Sequence, residues 1–155
     1  MGIMEIVDFQ PEHAAAFRAL NEAWITRLFA LEPKDVAVLG DPAGKIIAPG
    51  GHIFMATEDG AAIGCVALMA MADAGSLEVA KMAVAEAHKG RGIGGALMAA
   101  CVARGREIGA RRLYLETNSG LAPALGLYRR FGFQVVEPAE PSPYARADVV
   151  MELWL

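Results

Sequence analysis

The sequence predicts a single α/β (α+β) domain in which a mixed, mostly antiparallel sheet is flanked by helices. Three observations favour this fold class. The chain has 155 residues, the usual length of one domain. Short apolar segments separated by tight turns fill its first half, which is typical of antiparallel pairing. Helical and strand-like segments alternate in its second half, which is typical of a parallel connection. The predicted element order is β-α-α-β-β-β-α-β-α-β-β.

A short strand and two helices open the chain. Residues 3–9 read as a strand, and Pro11 marks the start of a helical segment over residues 12–31. A second, short helix over residues 35–39 ends before Pro42. The apolar side chains of the long helix recur at helical spacing: Phe17, Leu20, Trp24, Ile25 and Leu28.

Three strands in an antiparallel meander come next. They cover residues 52–57, 62–71 and 77–84. The turn signals Asp59-Gly60 and Asp73-Ala74-Gly75 separate them.

The third strand of the meander changes phase. Apolar side chains occupy odd positions at Leu77 and Val79 but even positions at Met82 and Val84. A β-bulge near Ala80-Lys81 reconciles the two phases, because one extra residue moves the following side chains to the other face. Bulges often re-aim strands beside active sites.

A glycine-rich loop at residues 90–95 opens a helix that runs to Ile108, and a strand over residues 112–116 follows. We expect this strand to pair in parallel with the strand at residues 77–84, because the helix connects them. The remaining elements are a helix over residues 122–131, a strand over residues 133–136 and a last strand over residues 147–153.

Composition excludes several classes of protein. With 55% hydrophobic and 21% charged residues, the chain has ample material for a core. The longest apolar run, residues 61–72, is shorter than the roughly 18 residues of a membrane span, and the N-terminus lacks a signal-peptide pattern. Cys65 and Cys101 stand singly in apolar surroundings, which predicts reduced core cysteines without a metal. We therefore expect a cytoplasmic protein with no membrane partner.

The charges are unevenly distributed. The net charge is −4, yet residues 87–134 hold eight basic and two acidic residues, a net +6. This segment predicts a local site for an anionic ligand. Nucleic acid is not the expected partner, because the chain as a whole is acidic and the basic segment lacks interleaved aromatic clusters.

The segment Lys89-Gly90-Arg91-Gly92-Ile93-Gly94-Gly95 is suited to a phosphate. Glycines permit close approach of the backbone, and the amides of a helix start attract anions. No P-loop string is present. The dinucleotide-binding pattern G-x-G-x-x-G is satisfied, but the loop begins well after the preceding strand and three antiparallel-type strands come before it. A dinucleotide oxidoreductase is therefore a disfavoured alternative.

Two segments carry a family resemblance. The first segment is the strand Leu77–Val84 followed by Lys89–Gly94, and the second is Leu125-Gly-Leu-Tyr-Arg-Arg-Phe-Gly-Phe133. They resemble the two signature motifs of the GNAT N-acetyltransferase superfamily. The predicted element order resembles that of the family from end to end.

The resemblance implies an acetyl-CoA site. In the family, the strand before the loop binds the pantetheine arm, which here falls on Met82, Ala83 and Val84. Lys89 stands where the family usually has Gln or Arg, and Leu121 stands where many members have an Asn, so Asn118 is the nearest substitute. Arg129 and Arg130 either reach the CoA 3′-phosphate or are solvated. The loop amides that would hold the pyrophosphate are those of Lys89, Gly90, Arg91, Gly92, Ile93, Gly94 and Gly95.

Acetyl transfer to an amine needs three groups. Tyr128, in the second motif, is the candidate acid that protonates the departing thiolate. A main-chain N–H near Ala83 or Val84 is the candidate donor to the oxyanion. Glu78 is the candidate base, since some family members have a Glu at this position, and Glu116 is the runner-up.

The acceptor is the least determined part. Trp24, Leu28 and Phe29 are expected to form one wall of its pocket, and Tyr144 and Arg146 the other. The Arg could pair with a substrate carboxylate, while the acidic residues of the first half could suit a cationic acceptor; the sequence leaves both open.

The sequence thus predicts an N-acetyltransferase that moves an acetyl group from acetyl-CoA directly to a primary amine of a small molecule or peptide, in a ternary complex. A non-catalytic acyl-CoA-binding module is the alternative. The resemblance also implies a possible homodimer, because dimers are common in the family.

Overall fold

A computed structural model describes residues 2–138 and 140–155. The order of its strands and helices is the predicted one. The strands are β1 (Met4–Asp8), β2 (His52–Glu58), β3 (Ala61–Ala70), β4 (Ser76–Val84), β5 (Arg112–Thr117), β6 (Gln134–Val136) and β7 (Val149–Trp154); the helices are α1 (Ala14–Leu28), α2 (Pro33–Gly40), α3 (Ile93–Glu107) and α4 (Ala122–Arg130).

One seven-stranded sheet organises the molecule, in the order β1-β2-β3-β4-β5-β7-β6. Every neighbouring pair is antiparallel except β4 and β5, which are parallel, as the sequence predicts. The predicted hairpin between β2 and β3 is confirmed. Asp59 and Gly60 both have positive φ, 52° and 83°, as a two-residue hairpin of the mirror-image type requires.

Each face of the sheet carries its own core, because strand side chains alternate between the two faces. One core contains Leu97 and Leu113 beneath α3 and α4. The other contains Phe17 and Val38 from α1 and α2. The two cysteines are free and buried, Cys101 in the first core and Cys65 in the second, as predicted.

The predicted bulge in β4 is confirmed. Cys65 of β3 pairs with Ala83 and Ala67 pairs with Ala80, so that Lys81 and Met82 together oppose a single residue of β3. Lys81 has a φ of 56°, in the left-handed region that a bulge residue can adopt. The extra residue keeps the apolar side chains before and after it in the same core: Leu77, Val79, Met82 and Val84.

β4 and β5 separate just before the bulge. Their parallel pairing runs from Ser76 and Arg112 to Glu78 and Tyr114. β4 then continues to Val84 and β5 to Thr117 without further pairing to each other. A wedge-shaped opening therefore lies in the middle of the sheet.

Some element boundaries differ from the sequence-based prediction. α1 ends at Leu28 rather than at residue 31, because Phe29 turns to extended backbone (φ −143°, ψ −158°) and leads to the cap of α2. That cap is reciprocal: the Glu32 N–H donates to the Asp35 side chain. A π-helical turn at Ala43–Ile47 was not predicted. No helix within the described ranges is long and apolar enough to cross a membrane.

Candidate active site

A cavity of about 540 Å³ occupies the opening between β4 and β5. α1 borders one side, and α4 and the segment at residues 144–147 border the other. Two of the predicted site residues, Arg91 and Gly95, do not line it. The predicted residues that do are Trp24, Leu28, Phe29, Glu78, Met82, Ala83, Val84, Lys89, Gly90, Gly92, Ile93, Gly94, Asn118, Tyr128, Tyr144 and Arg146.

The glycine loop forms one end of the cavity. Gly90 and Gly92 have φ values of 81° and 77°, which side chains other than glycine rarely adopt. Gly92 is the N-cap of α3, and Gly94 lies in its first turn. The first amides of a helix have no acceptor within it, so they are available to an anion at this end.

Basic side chains surround the glycine loop. Lys89 and Arg27 both line the cavity, and both contact the exposed Glu86 carboxylate, at 3.0 and 3.1 Å. The Arg91 side chain instead pairs with Glu58 at the end of β2. Arg27 was not predicted from the sequence, because its approach to the loop depends on how α1 packs across the sheet.

Backbone direction decides which amides of β4 face the opening. The Ala85 N–H donates to the Ile63 carbonyl of β3, at 2.8 Å. Successive amides of a strand point to opposite edges, so the Val84 N–H points away from β3 and into the opening. Of the two amides predicted near the oxyanion, Val84 has the suitable direction.

Tyr128 projects from α4 into the same cavity. Its ring lies 6.1 Å from that of Phe133, centroid to centroid, which fixes its orientation in the core. Within the described part of the chain its hydroxyl makes no hydrogen bond. Burial raises the pKa of Tyr128 to about 12, so the phenol keeps its proton at neutral pH.

Glu78 and Glu116 line the other end of the cavity. Glu78 is opposite Tyr114 in the β4–β5 register, and Glu116 is two residues farther along β5 on the same face. Burial, followed by the charge of Glu116, raises the pKa of Glu78 to about 7. Glu116 accepts hydrogen bonds from Tyr114 (2.8 Å) and Ser142 (2.6 Å).

A buried ion cluster that was not predicted lies beside these carboxylates. Asp35 of α2 is fully buried and accepts hydrogen bonds from Lys81 Nζ (2.7 Å) and from both terminal nitrogens of Arg146 (2.7 and 2.8 Å). Burial alone would raise the pKa of Asp35, but the Arg146 and Lys81 hydrogen bonds hold it well below its usual value. The signal that could have revealed the cluster is Lys81, which stands among the apolar residues of the second half of β4.

Tyr144 completes the end of the cavity that holds Glu78 and Glu116. Lys81 Nζ donates to its hydroxyl at 3.1 Å and lies 4.6 Å from its ring centroid. Trp24 and Phe29 meet edge to face at 6.3 Å on the opposite wall. Asn118 lines the cavity, and its amide nitrogen donates to the Arg146 carbonyl at 2.6 Å, so this side chain also holds the segment in place.

Comparison with known proteins agrees with this arrangement. Residues 12–133 match the acetyltransferase (GNAT) family. The chain belongs to this family. An N-acetyltransferase of Schizosaccharomyces pombe is 30% identical over 106 residues, which are 68% of this chain and 65% of that protein, just under two thirds of its length. The GNAT domain described here is accordingly an acyltransferase domain, of a family that takes acyl groups from CoA.

Solved structures share the whole fold. A GNAT-family acetyltransferase of Staphylococcus aureus has a TM-score of 0.88 with 15% identity, covering 98% of this chain and 99% of that one. An N-acetyltransferase of Thermoplasma acidophilum, solved in complex with coenzyme A, has a TM-score of 0.78 with 15% identity, covering 99% of both chains. At these identities the likeness shows the GNAT fold.

Proposed function

We propose that this GNAT domain transfers the acetyl group of acetyl-CoA directly to a primary amine of a small molecule or peptide, within a ternary complex. The observation that carries the proposal is the opening between β4 and β5. It joins the glycine loop at one end to Glu78 and Glu116 at the other, with Tyr128 in its wall. A thioester bound from the glycine-loop end and an acceptor bound at the carboxylate end would thus meet in one cavity.

The acetyl-CoA fits the basic end. Its pyrophosphate would lie against the amides at the start of α3, where the loop glycines leave the backbone open. Lys89 and Arg27 add positive charge there. The pantetheine arm would run along Met82, Ala83 and Val84 toward the opening.

The reaction begins with the acceptor. Glu78 takes a proton from the acceptor ammonium, and the free amine attacks the thioester carbonyl. A carbon–nitrogen bond forms, and the oxyanion accepts a hydrogen bond from the Val84 N–H. The carbon–sulfur bond then breaks, and the CoA thiolate takes the proton of Tyr128. Glu78 and the acetylated amine each release a proton to solvent and Tyr128 takes one back, so the cycle releases one proton and restores both side chains.

Direct transfer agrees with the position of the cysteines. Neither Cys65 nor Cys101 lines the cavity, and burial raises the pKa of each thiol to about 12. A protonated, buried thiol is a poor nucleophile. This supports a single transfer step rather than an acyl-cysteine intermediate.

The Tyr128→Phe variant tests the proposal. We expect kcat to fall by about 10²–10⁴-fold, the usual contribution of a general acid, while KM for acetyl-CoA changes little. Thiol release and the mass of the acetylated amine measure the reaction. Calorimetric binding of CoA to the same variant is the control for folding.

Two outcomes would contradict the proposal. Wild-type protein that binds acetyl-CoA yet releases no thiol with any amine would be a binding module. An unchanged kcat in Tyr128→Phe would remove the acid role from this residue.

A further inference from the structure

The two ends of the cavity carry opposite charge. Arg27 and Lys89 line the end next to the glycine loop, and the one Glu86 carboxylate that both contact offsets only one of their two charges. Glu78 and Glu116 line the far end, where the acceptor would enter. A ligand that spans the cavity therefore meets cations where CoA carries its phosphates and anions where the acceptor must bind.

The basic residues at the far end are already neutralised. Lys81 and Arg146 share the fully buried carboxylate of Asp35, and Arg146 also pairs with Glu32 at 3.3 Å. The charges of Lys81 and Arg146 are thus balanced by those of Asp35 and Glu32. Arg146 therefore has its carboxylate partners within the chain, which argues against the substrate-carboxylate role left open by the sequence.

The exposed Lys34 does not change this balance. Its Nζ lies 5.4 Å from the Tyr144 ring centroid, and it is not among the residues that line the cavity. Its charge, like that of Lys81, lowers the pKa of Glu78 without forming an ion pair with it.

The two remaining carboxylates, Glu78 and Glu116, have no direct ion-pair partner in the described part of the chain. Glu116 accepts two neutral hydrogen bonds, from Tyr114 and Ser142, and Glu78 accepts none from the described chain. Two neighbouring, partly buried carboxylates repel each other, and a cation placed between them relieves that repulsion.

The walls next to the carboxylates also favour a cation. Trp24, Phe29 and Tyr144 all line the cavity. Aromatic faces attract ammonium groups. The Tyr144 ring already has the Lys81 and Arg146 cations at 4.6 and 4.5 Å from its centroid, so the aromatic surface left for a ligand is mainly that of Trp24 and Phe29. Aromatic rings combined with unpaired carboxylates form surroundings that fit an organic cation.

We propose that the acceptor carries a second cationic group besides the amine that reacts, as in a short aliphatic diamine, and is not an amino acid with a free carboxylate. The inference rests on the proposed function, in which the reacting amine gives its proton to Glu78. Only a second cation then remains to pair with Glu116. Glu116 lies two residues beyond the register partner of Glu78, about 7 Å along the strand, so the two positive centres need a spacer of a few methylene groups.

Three acceptors that differ only at their far end test the inference: 1,4-diaminobutane, 4-aminobutanol and 4-aminobutanoate. After correction for the two equivalent amines of the diamine, we expect kcat/KM to be at least about tenfold higher for the diamine than for the amino alcohol, the effect of one ion pair in a partly buried site. The amino acid should be poorest. An amino acid that matches or exceeds the diamine would overturn the inference.

Charge-neutral variants locate the preference. Glu116→Gln keeps the size of the side chain and removes its charge, so the diamine-to-alcohol ratio should fall to within about twofold of one. Glu5→Gln, on the exposed edge strand β1, makes the same change in net charge and should leave the ratio as in the wild type. A ratio unaffected by Glu116→Gln would overturn the assignment.

Binding separates this inference from the proposed function. If no amine is acetylated, calorimetric titration of the three compounds into the CoA-loaded protein still ranks them. Tighter binding of the diamine, lost in Glu116→Gln, would support the cation site and reject the acetyl transfer. Three results would overturn the cation site itself: equal affinity for the three compounds, highest affinity for the amino acid, or no binding of any of them at millimolar concentration.

Discussion

At the scale of single residues, Glu78 is the side chain whose surroundings most oppose its charge. Burial and the neighbouring Glu116 raise its pKa from about 4.5 to about 7. A carboxylate with a pKa near neutrality holds a proton tightly enough to be an effective base and still releases it at physiological pH. Its environment thus agrees with the role that the family resemblance implies.

Glu78→Gln should alter the pH dependence of the proposed reaction. In the wild type we expect kcat to fall as the pH drops below about 7, because Glu78 becomes protonated. The variant should be slow at every pH and should lack this acidic limb. Initial rates of thiol release between pH 5 and 9 measure the profile.

Stability provides an independent check on the same pKa. Between about pH 4.5 and 7 the folded protein holds a proton that the unfolded chain releases, so the free energy of unfolding falls as the pH rises through this window. The contribution is at most about 3 kcal/mol and is absent in Glu78→Gln. Denaturant titrations that show the same pH slope in both proteins would contradict the raised pKa.

At the scale of elements, the turn into α3 depends on backbone conformation more than on space. A Cβ at Gly92 would meet no atom within 4 Å, yet the φ of 77° is one that side chains disfavour. Gly40 at the end of α2 also has open space, but its φ lies outside the positive range. The two glycines therefore form a matched pair that isolates the effect of φ.

Gly92→Ala should weaken CoA binding, because an L side chain shifts the loop away from the conformation that exposes its amides. A strain of about 1–2 kcal/mol corresponds to a roughly 5- to 30-fold higher Kd if it falls on the bound loop. Gly40→Ala should leave the Kd unchanged. Isothermal titration with CoA compares them, and equal affinities in both variants would contradict a role for the turn.

At the scale of the whole molecule, Asp35 connects parts of the chain that are far apart in sequence. It lies 46 residues from Lys81 and 111 residues from Arg146. The cluster therefore ties α2 to the bulge of β4 and to the segment that leads into β7. Both walls of the acceptor end depend on this one buried carboxylate.

Asp35→Ala should be strongly destabilising, by about 3–5 kcal/mol, because it leaves the buried Lys81 ammonium without an ion-pair partner and leaves Arg146 with Glu32 alone. Asp8→Ala is the matched control. Its Arg104 pair, at 2.9 Å, has a largely exposed carboxylate, so its loss should cost about 1 kcal/mol or less. Thermal and denaturant unfolding measure both variants, and similar losses would contradict a structural role for the buried cluster.

Local patterns determined most of the fold. The phase change along Leu77 to Val84 predicted the bulge, and the glycines at residues 90–95 predicted the turn into α3, because both depend on backbone geometry within a few residues. The bulge and the glycine turn both border the gap between β4 and β5. This explains why nearly all predicted cosubstrate residues line the cavity.

By itself, the sequence determined the order of the elements, the family and the residues around the glycine loop. Only the tertiary structure decided the charge of the acceptor end. The sequence left the partner of Arg146 open, and in the fold it pairs with Asp35. Among the described residues of the cavity, Glu78 and Glu116 make no ion pair. The physical reason is that ion pairs form between residues brought together by packing, and nothing in local spacing records which charges will meet.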